Sequence, residues 1–371
     1  MMMTKYIWQH ASWPNLTWDE KRVLNTLKLA LKDQAYILGN IHFFDVKVEA
    51  NVLIEEAMTT SAIEGEILDR ESVRSFVAKR LGLEVAGISK IKRNSDGLIE
   101  ILLDATTNFK STLTHERLCS WQAALFPTSF SGMTKIDVGS YRKGEENMQV
   151  VSGRIGKEKI HYIAPPSKKI KNEMNQFLKW WNKKDPNTNG IVRAAIAHFW
   201  FVSIHPFDDG NGRVARVLTD MALAQDERTS KRLYSLSSQI LKDKKNYYEA
   251  LERAQKGTGD ITEWIIWFLS MFSKSINHSK KVIEKTVFIA SYYQKLETIQ
   301  LNPRQIKVIR KLLEHLPEDF VGGLTNKKYV SMTNVSPETA KRDLKDLLDL
   351  GILIQNEGKG RSTSYRINSD L

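Results

Sequence analysis

Residues 205–216 read HPFDDGNGRVAR, and the types and order of these twelve side chains suit one kind of chemistry. Gly210-Asn211-Gly212 at the mouth of a helix leaves backbone N–H groups unobstructed, and the helix dipole adds positive potential, a combination that accepts phosphate. Arg213 and Arg216 stand three apart, so one helix face offers two guanidinium forks to a polyphosphate. Asp209 is placed to hold a hard divalent cation across phosphate oxygens. His205 closes an apolar helix at the same mouth and takes a proton near neutral pH. Singly, each feature is common: a His before proline is most often structural and a GNG is most often a turn. Together they make a constellation for phosphoryl or nucleotidyl transfer.

The elements that must hold these groups are mostly helices. Apolar residues recur at three- and four-residue intervals, which predicts helices over 19–46, 46–64, 94–108, 114–125 and 168–181. The stretch 191–204, IVRAAIAHFWFVSI, is apolar on every side and reads as a buried central helix. His205-Pro206 ends it, since proline disfavours helix for its predecessor. Helix resumes from Gly210 to Ala224, and again over 245–255 and 261–273. Between Val138 and Pro166 the texture changes to two short β-prone pieces around a Gly-containing turn, a hairpin signal among helices.

The signature HPFDDGNGRVAR resembles that of the Fic family, H-x-F-x-[D/E]-G-N-G-R-x-x-R, at all eight specified positions. The resemblance implies a mainly α fold, a Fic-type helical core over 94–275 with a small β-hairpin flap. It also implies transfer of AMP from ATP to a Ser, Thr or Tyr hydroxyl of a target protein. Carried onto this chain, it makes His205 the general base and Phe207 the anchor of the loop. Asp209 would coordinate Mg²⁺ or Mn²⁺, with Asp208 beside it as the other carboxylate. Gly210, Asn211 and Gly212 would form the anion hole, Asn211 on the α-phosphate, and Arg213 and Arg216 would grip the remaining phosphates. GSYRKGEENMQVVSG and HYIAPP are similar to the family's flap, which implies a target docked on residues 139–166. Tyr247 and Tyr248 open a helix where relatives contact adenine.

Thr60–Gly65, TSAIEG, matches the family's inhibitory motif [S/T]-x-x-x-E-[G/N]. Thr60 and Glu64 lie four apart and share a helix face, with Gly65 letting the chain turn away. The resemblance implies that Glu64 pairs with Arg216 and occupies the fork that the γ-phosphate needs. In some relatives the same glutamate aligns a water for AMP removal, and that alternative stays open, as does another donor.

The last 70 or so residues read as a separate module, three short helices (303–315, 325–333 and 336–350) and a two-stranded wing, ILIQ and SYRI: a winged-helix domain over 303–371. Its third helix places Ala340, Leu344 and Leu347 or Leu348 inward, and Lys341, Arg342 and Lys345 outward. Lys359, Arg361 and Arg366 fall on or beside the wing, an arrangement suited to phosphates and a major groove. Twelve basic side chains face nine acidic ones there, and Asp343, Asp346 and Asp349 interrupt the basic face. The expected organisation is 1–93 for an N-terminal helical region carrying the brake, 94–275 for the core, 276–302 for a connecting helix or linker, and 303–371 for the winged helix. The aromatic WQHASWPNLTW near the start reads as a packing element.

The chain of 371 residues is 42% hydrophobic and 26% charged with net charge +12, so it can bury a core and favours polyanionic partners. One cysteine, Cys119, excludes a disulfide framework and an all-Cys metal cluster. No apolar run approaches the length of a membrane span, and the start lacks a signal-peptide core, so the expectation is a cytoplasmic protein without a membrane partner. ATP, a hydroxyl-bearing target, self-modification, a homodimer and DNA through 303–371 are the partners this reading admits. Its rival is a DNA-binding regulator whose core senses nucleotide without turnover.

Overall fold

A 3.6-residue apolar period dominates the chain, and the computed structural model shows what it builds. It describes residues 6–83, 96–144, 147–152, 159–183, 185–315, 322–357 and 363–369. The described elements are, in chain order, α1 (Glu20–Gly39), α2 (Val46–Ile63), α3 (Arg70–Arg80), α4 (Asp96–Thr107), α5 (His115–Leu125), β1 (Phe130–Ser131), β2 (Thr134–Lys135), β3 (Gln149–Ser152) and β4 (Lys159–Ile163). After the strands come α6 (Ser167–Asn182), α7 (Gly190–Ile204), α8 (Asn211–Glu227), α9 (Leu236–Lys242), α10 (Lys244–Gln255) and α11 (Thr262–Leu296). The chain closes with α12 (Pro303–His315), α13 (Asn326–Thr333), α14 (Pro337–Asp349), β5 (Leu353–Gln355) and β6 (Tyr365–Ile367). Residues 1–279 form one unit and 280–371 a second.

In the first unit α7 is the axis. Every residue from Ile191 to Ile204 is buried, as an all-round apolar helix must be. Its own Phe199 and Phe201, and Phe177 and Phe207 beside it, are fully enclosed. The Trp264 indole donates to the Ala195 carbonyl at 2.8 Å, so even this polar atom is satisfied inside the core. Helix α8 runs back against α7, which brings the end of one and the start of the other to a single corner. Three of the long helices have a side-chain cap that the sequence supplies: Asp19 for α1, Asp45 for α2 and Asn189 for α7 accept from first-turn amides.

The expected hairpin is β3–β4, an antiparallel pair with a register shift between Val150 and Val151. Residues 145–146 and 153–158 of that flap lie outside the described residues. The aromatic start of the chain packs as expected, and it reaches the flap as well as the helices. Trp8 Nε1 donates to Ile163 O of β4 at 2.7 Å, and Tyr6 meets Tyr162 edge to face. Trp13 Nε1 donates to Glu173 of α6.

Two expectations need correction. The helix expected to run through residue 46 stops at Gly39, where Asn40 folds its amide back to the Tyr36 carbonyl at 2.8 Å. The helices α3 and α9 and the two-residue pair β1–β2 went unrecognised: α9 and the strands are too short to show a period, and in α3 Ser72 and Ser75 share the buried face with Val73, Phe76 and Val77 and mask it. The interval 276–302, expected to be a connecting helix or linker, is helical as far as Leu296, as the continuation of α11.

The described residues of the second unit hold the end of α11, the helices α12, α13 and α14 and an antiparallel pair, β5–β6, around Val308, Leu312, Leu324, Tyr329, Leu344, Leu347 and Ile367. Ala340, Leu344 and Leu347 point inward and Lys341, Arg342 and Lys345 outward, as the spacing predicts. Asp343 differs from expectation. Its carboxylate turns inward, where it accepts from Arg304 Nε at 2.8 Å, Asn302 at 3.0 Å and the Tyr329 hydroxyl at 2.9 Å. Arg304 and these donors hold it below the usual carboxylate range although burial works the other way. Lys359 and Arg361 lie outside the described residues.

Phe201 is fully enclosed between Phe177 and Phe207. Phe201→Ala leaves a cavity under the loop that follows α7 and should cost about 3–5 kcal/mol, read as a lower urea midpoint for unfolding.

Candidate active site

His205 is the last residue held by α7, its amide still bonded to Phe201 O at 3.0 Å. Its backbone is left-handed, φ +52°, a conformation that costs a non-glycine residue on the order of 1 kcal/mol. It persists because its surroundings fix it. Arg142, buried in the segment before β3, donates from Nε to His205 O at 2.8 Å and from Nη2 to Pro165 O, and its amide donates to Pro206 O at 3.0 Å. Arg142 thus ties the turn after α7 to both ends of the flap region. Sequence reading missed it; the only signal was a lone arginine between Tyr141 and Lys143.

The imidazole is partly buried, and its Nδ1 lies 3.2 Å from Val202 O. A carbonyl only accepts, so Nδ1 carries the proton and Nε2 keeps its lone pair. Burial lowers the imidazole pKa from 6.5 to about 4, with Arg142 adding to the shift and the Val202 bond, Glu64 and Asp209 opposing it. At neutral pH His205 is therefore a neutral base.

The loop onward is braced from inside. Asn211 is buried, and its side-chain amide bonds both ways to Phe207, donating to Phe207 O at 2.8 Å and accepting from Phe207 N at 2.9 Å. Its side chain is thereby committed to the loop, and the anion-facing groups are left to the backbone. Asp208 accepts from Asp137 N at 2.9 Å, another brace. Asp209 takes the hydroxyl of Ser131, which lies on β1, and stands 3.9 Å from Arg213 Nη2. Of the two neighbouring carboxylates Asp209 is the one turned toward the arginines. Gly210 enters α8 at φ +88°, and a Cβ there would press the Phe126 ring at 3.0 Å, so glycine answers both conformation and space.

Arg216 is 2% exposed. Its Nε donates to Thr60 Oγ1, its Nη2 to Thr60 O at 3.0 Å and to Glu64 Oε1 at 2.6 Å. The expected pair of the brake is thus formed in the structure. Burial opposes the guanidinium charge, but Glu64 and the neighbouring groups outweigh it and keep it firmly protonated. Gly212 sits directly under this contact: a Cβ there would lie 2.1 Å from Glu64 Oε1. Arg213 is engaged too, by Glu66 at 3.0 Å, a carboxylate just past the motif that the sequence reading did not single out, and its guanidinium lies over the Phe126 ring. Both arginines therefore face acids from one segment, Glu64 and Glu66. Two nitrogens remain buried and unbonded, Arg216 Nη1 and Arg213 Nε.

Tyr247 is buried, its hydroxyl 2.9 Å from His198 Nε2, and serves as a wall. Tyr248 is 39% exposed and reaches toward Ile63 O at the end of α2. Burial first, and Glu64 next, push its phenol up to about 12. Among the described residues no set of three acidic, His or Cys side chains converges as a metal site. One carboxylate at a phosphate cradle is nonetheless the protein share that a Mg²⁺ ion arriving with a triphosphate requires.

Comparison with known proteins agrees with this geometry. Residues 112–223 match the model of the Fic/DOC family, and residues 6–83 match a domain of unknown function, DUF4172. The protein adenylyltransferase Fic of Nematostella vectensis is 34% identical over 99 residues, 26% of this chain and 21% of that protein. A uridine 5'-monophosphate transferase of Xanthomonas campestris is 28% identical over 134 residues, 32% of this chain and 25% of that protein. A probable protein adenylyltransferase of Aquifex aeolicus is 26% identical over 234 residues, 57% of this chain and 63% of that protein. The chain thus spans only about a fifth to a quarter of the first two relatives. A solved Fic family protein from Desulfovibrio desulfuricans shares the fold at TM-score 0.55 and 18% identity, covering 96% of this chain and 98% of that one. The chain carries a Fic domain on a mainly helical fold.

Replacing Glu64 leaves a buried guanidinium without its counter-ion. Glu64→Gly is expected to destabilise the nucleotide-free chain by roughly 1–2 kcal/mol, less than a fully buried pair would lose because a third of the Glu64 side chain meets solvent. Magnesium ATP should restore the lost melting temperature more in this variant than in the unaltered chain, a difference that thermal-shift titration reads.

Proposed function

We propose that this chain is a protein adenylyltransferase that transfers AMP from ATP to a hydroxyl of a target protein, held in check by Glu64 on Arg216. The observation that carries the reading is Arg216. It is a buried cation with one nitrogen still unbonded, closed off by a carboxylate from the chain's own helix α2 above a glycine that leaves room for nothing larger. Relatives named protein adenylyltransferase support the class of reaction.

In this reading the triphosphate lies against the N-terminus of α8, where unpaired first-turn amides attract anions, with Arg213 and Arg216 on its outer phosphates. The target hydroxyl gives its proton to His205 Nε2 as its oxygen attacks the α-phosphorus. The bond to the bridging oxygen breaks and diphosphate leaves. Asp209 would hold Mg²⁺, whose charge would offset that of the phosphates. Loop positions are fixed by Asn211, Asp208 and Arg142 before any ligand arrives, so little reorganisation is needed at the moment of reaction. The β3–β4 hairpin would receive the target as an added strand. Glu64 blocks the sequence at its first step, since the fork it occupies is the one the γ-phosphate needs.

For residues 280–371 a nucleic-acid contact is the second reading. The inward turn of Asp343 removes one acid from beside the exposed Lys341, Arg342 and Lys345, while Asp346 and Asp349 stay exposed there.

Incubation of the Glu64→Gly chain with α-labelled ATP, Mg²⁺ and cell lysate is expected to label protein, and the unaltered chain to label it far less. His205→Ala in the same background should lose the signal by about two to four orders of magnitude. A parallel arm with α-labelled UTP reads the donor. No labelled protein in any arm would end the reading.

Because the His205 pKa is lowered, the neutral base persists as pH falls through 6.5 and is lost only nearer about 4. Label transfer by Glu64→Gly should therefore show no acid limb at the ordinary imidazole value; removing Glu64, which raises that pKa, moves the limb lower still. An acid limb centred near 6.5 in the rate profile would contradict the assignment.

A further inference from the structure

The contact between Glu64 and Arg216 is only the last link of a longer one. Glu56, Thr60 and Glu64 follow at four-residue intervals and lie along one face of α2. Thr60 is fully buried, and so are Glu56 and its partners Ser235 and Ser237 at the start of α9, none more than 5% exposed. Glu56 accepts from the Ser235 hydroxyl at 2.7 Å, from the Ser237 amide at 3.2 Å and from the Ser237 hydroxyl. The Ser237 and Thr60 oxygens are 3.2 Å apart, and Thr60 Oγ1 accepts from Arg216 Nε.

The proton count fixes every direction in this chain. A carboxylate only accepts and a hydroxyl has one proton to give. Ser237 gives its proton to Glu56, so Thr60 must give its own to Ser237, and Thr60 is then left to accept from Arg216. The donors run Arg216 to Thr60 to Ser237 to Glu56, ending on a negative charge. Aligned donors of this kind reinforce one another. Reversing the Thr60–Ser237 link would take the Ser237 proton away from Glu56 and leave two acceptor oxygens facing each other there.

We propose that Glu56 and Ser237 are positioning residues of the brake: their buried hydrogen-bond chain orients Thr60 to accept from Arg216 and so holds α2 where Glu64 closes the fork. The proposal rests on the autoinhibition reading above. Neither residue is itself bonded to Arg216 or Glu64. Without the chain, the closed arrangement loses population, and apparent ATP affinity rises by the fraction of open chain gained.

The test measures Mg²⁺-ATP dissociation constants by calorimetry on the full chain, for Glu56→Gln, Ser237→Ala and Glu64→Gly, and for each of the first two combined with Glu64→Gly. Glu56→Gln places an amide donor where acceptors are needed, and Ser237→Ala removes one relay hydroxyl with little change in volume. Each single variant is expected to bind ATP about three- to tenfold more tightly than the unaltered chain, the worth of one interior hydrogen bond. In the Glu64→Gly background neither should add anything, which also shows that both variants still fold around the nucleotide. Equal affinity in the unaltered chain and in Glu56→Gln and Ser237→Ala, while Glu64→Gly tightens binding, overturns the relay alone. So does the same gain persisting after Glu64 is gone, since the residues would then act independently of the brake. If Glu64→Gly itself leaves affinity unchanged, the autoinhibition reading falls and this proposal with it.

Discussion

A guanidinium buried to 2% exposure must have an anion, and the fold around Arg216 is arranged by that requirement. Its charge cannot be shed, because no accessible pH deprotonates arginine. Only the identity of the counter-ion is open. In the structure it is Glu64, with Thr60 supplying the neutral acceptors. A phosphate satisfies the same need. On the proposed function, substrate and brake would be interchangeable solutions of one electrostatic problem, and the competition between them would follow from burial. Gly212 makes the competition close, since any side chain there would collide with Glu64.

The opposite side of the site obeys a different constraint, that of shape. Between His205 and Gly210 the backbone leaves helix, passes through left-handed conformations at His205 and Gly210, and re-enters helix. Such a loop has too few internal bonds to hold itself. Asn211, Asp208 and Arg142 spend their polar groups on its backbone or on its neighbours. Charged and polar residues that look catalytic in a list are here divided between shaping the loop and meeting the ligand. The division is legible in which atoms are already bonded.

Much of this was readable from the amino acids. The all-round apolar run 191–204 gave the buried axis, and twelve consecutive residues gave His205, Asp209, the glycines and both arginines. The i,i+4 spacing of Thr60 and Glu64 put the brake on one helix face. What escaped depends on long-range contact. Arg142 lies 63 positions from His205, Ser131 lies 78 from Asp209, and Ser237 lies 181 from Glu56; no local pattern marks such pairs. The inward turn of Asp343 escaped for the same reason, because its partners sit on α12, α13 and the turn before α12. Helix α9, seven residues long, was too short for periodicity to reveal, and α3 hid its period because Ser72 and Ser75 lie on its buried face.

The two ends of α2 differ in a way that bears on how the proposed brake would let go. At Glu56 the carboxylate is almost wholly enclosed and fully bonded; at Glu64 a third of the side chain already meets water. Pulling the whole helix away would expose Ala50, Leu53, Ile54, Ala57 and Ile63 and strand Glu56, at a cost of order 10 kcal/mol from apolar burial alone. Lifting Glu64 off Arg216 exposes little, and the helix ends there, with Gly65 at φ +86° able to take up the backbone change. The cheap route is local. On the proposed function, an arriving triphosphate would have to outcompete one carboxylate that is a third exposed while α2 stays docked, which would make the brake releasable by substrate and rebuildable when the nucleotide leaves.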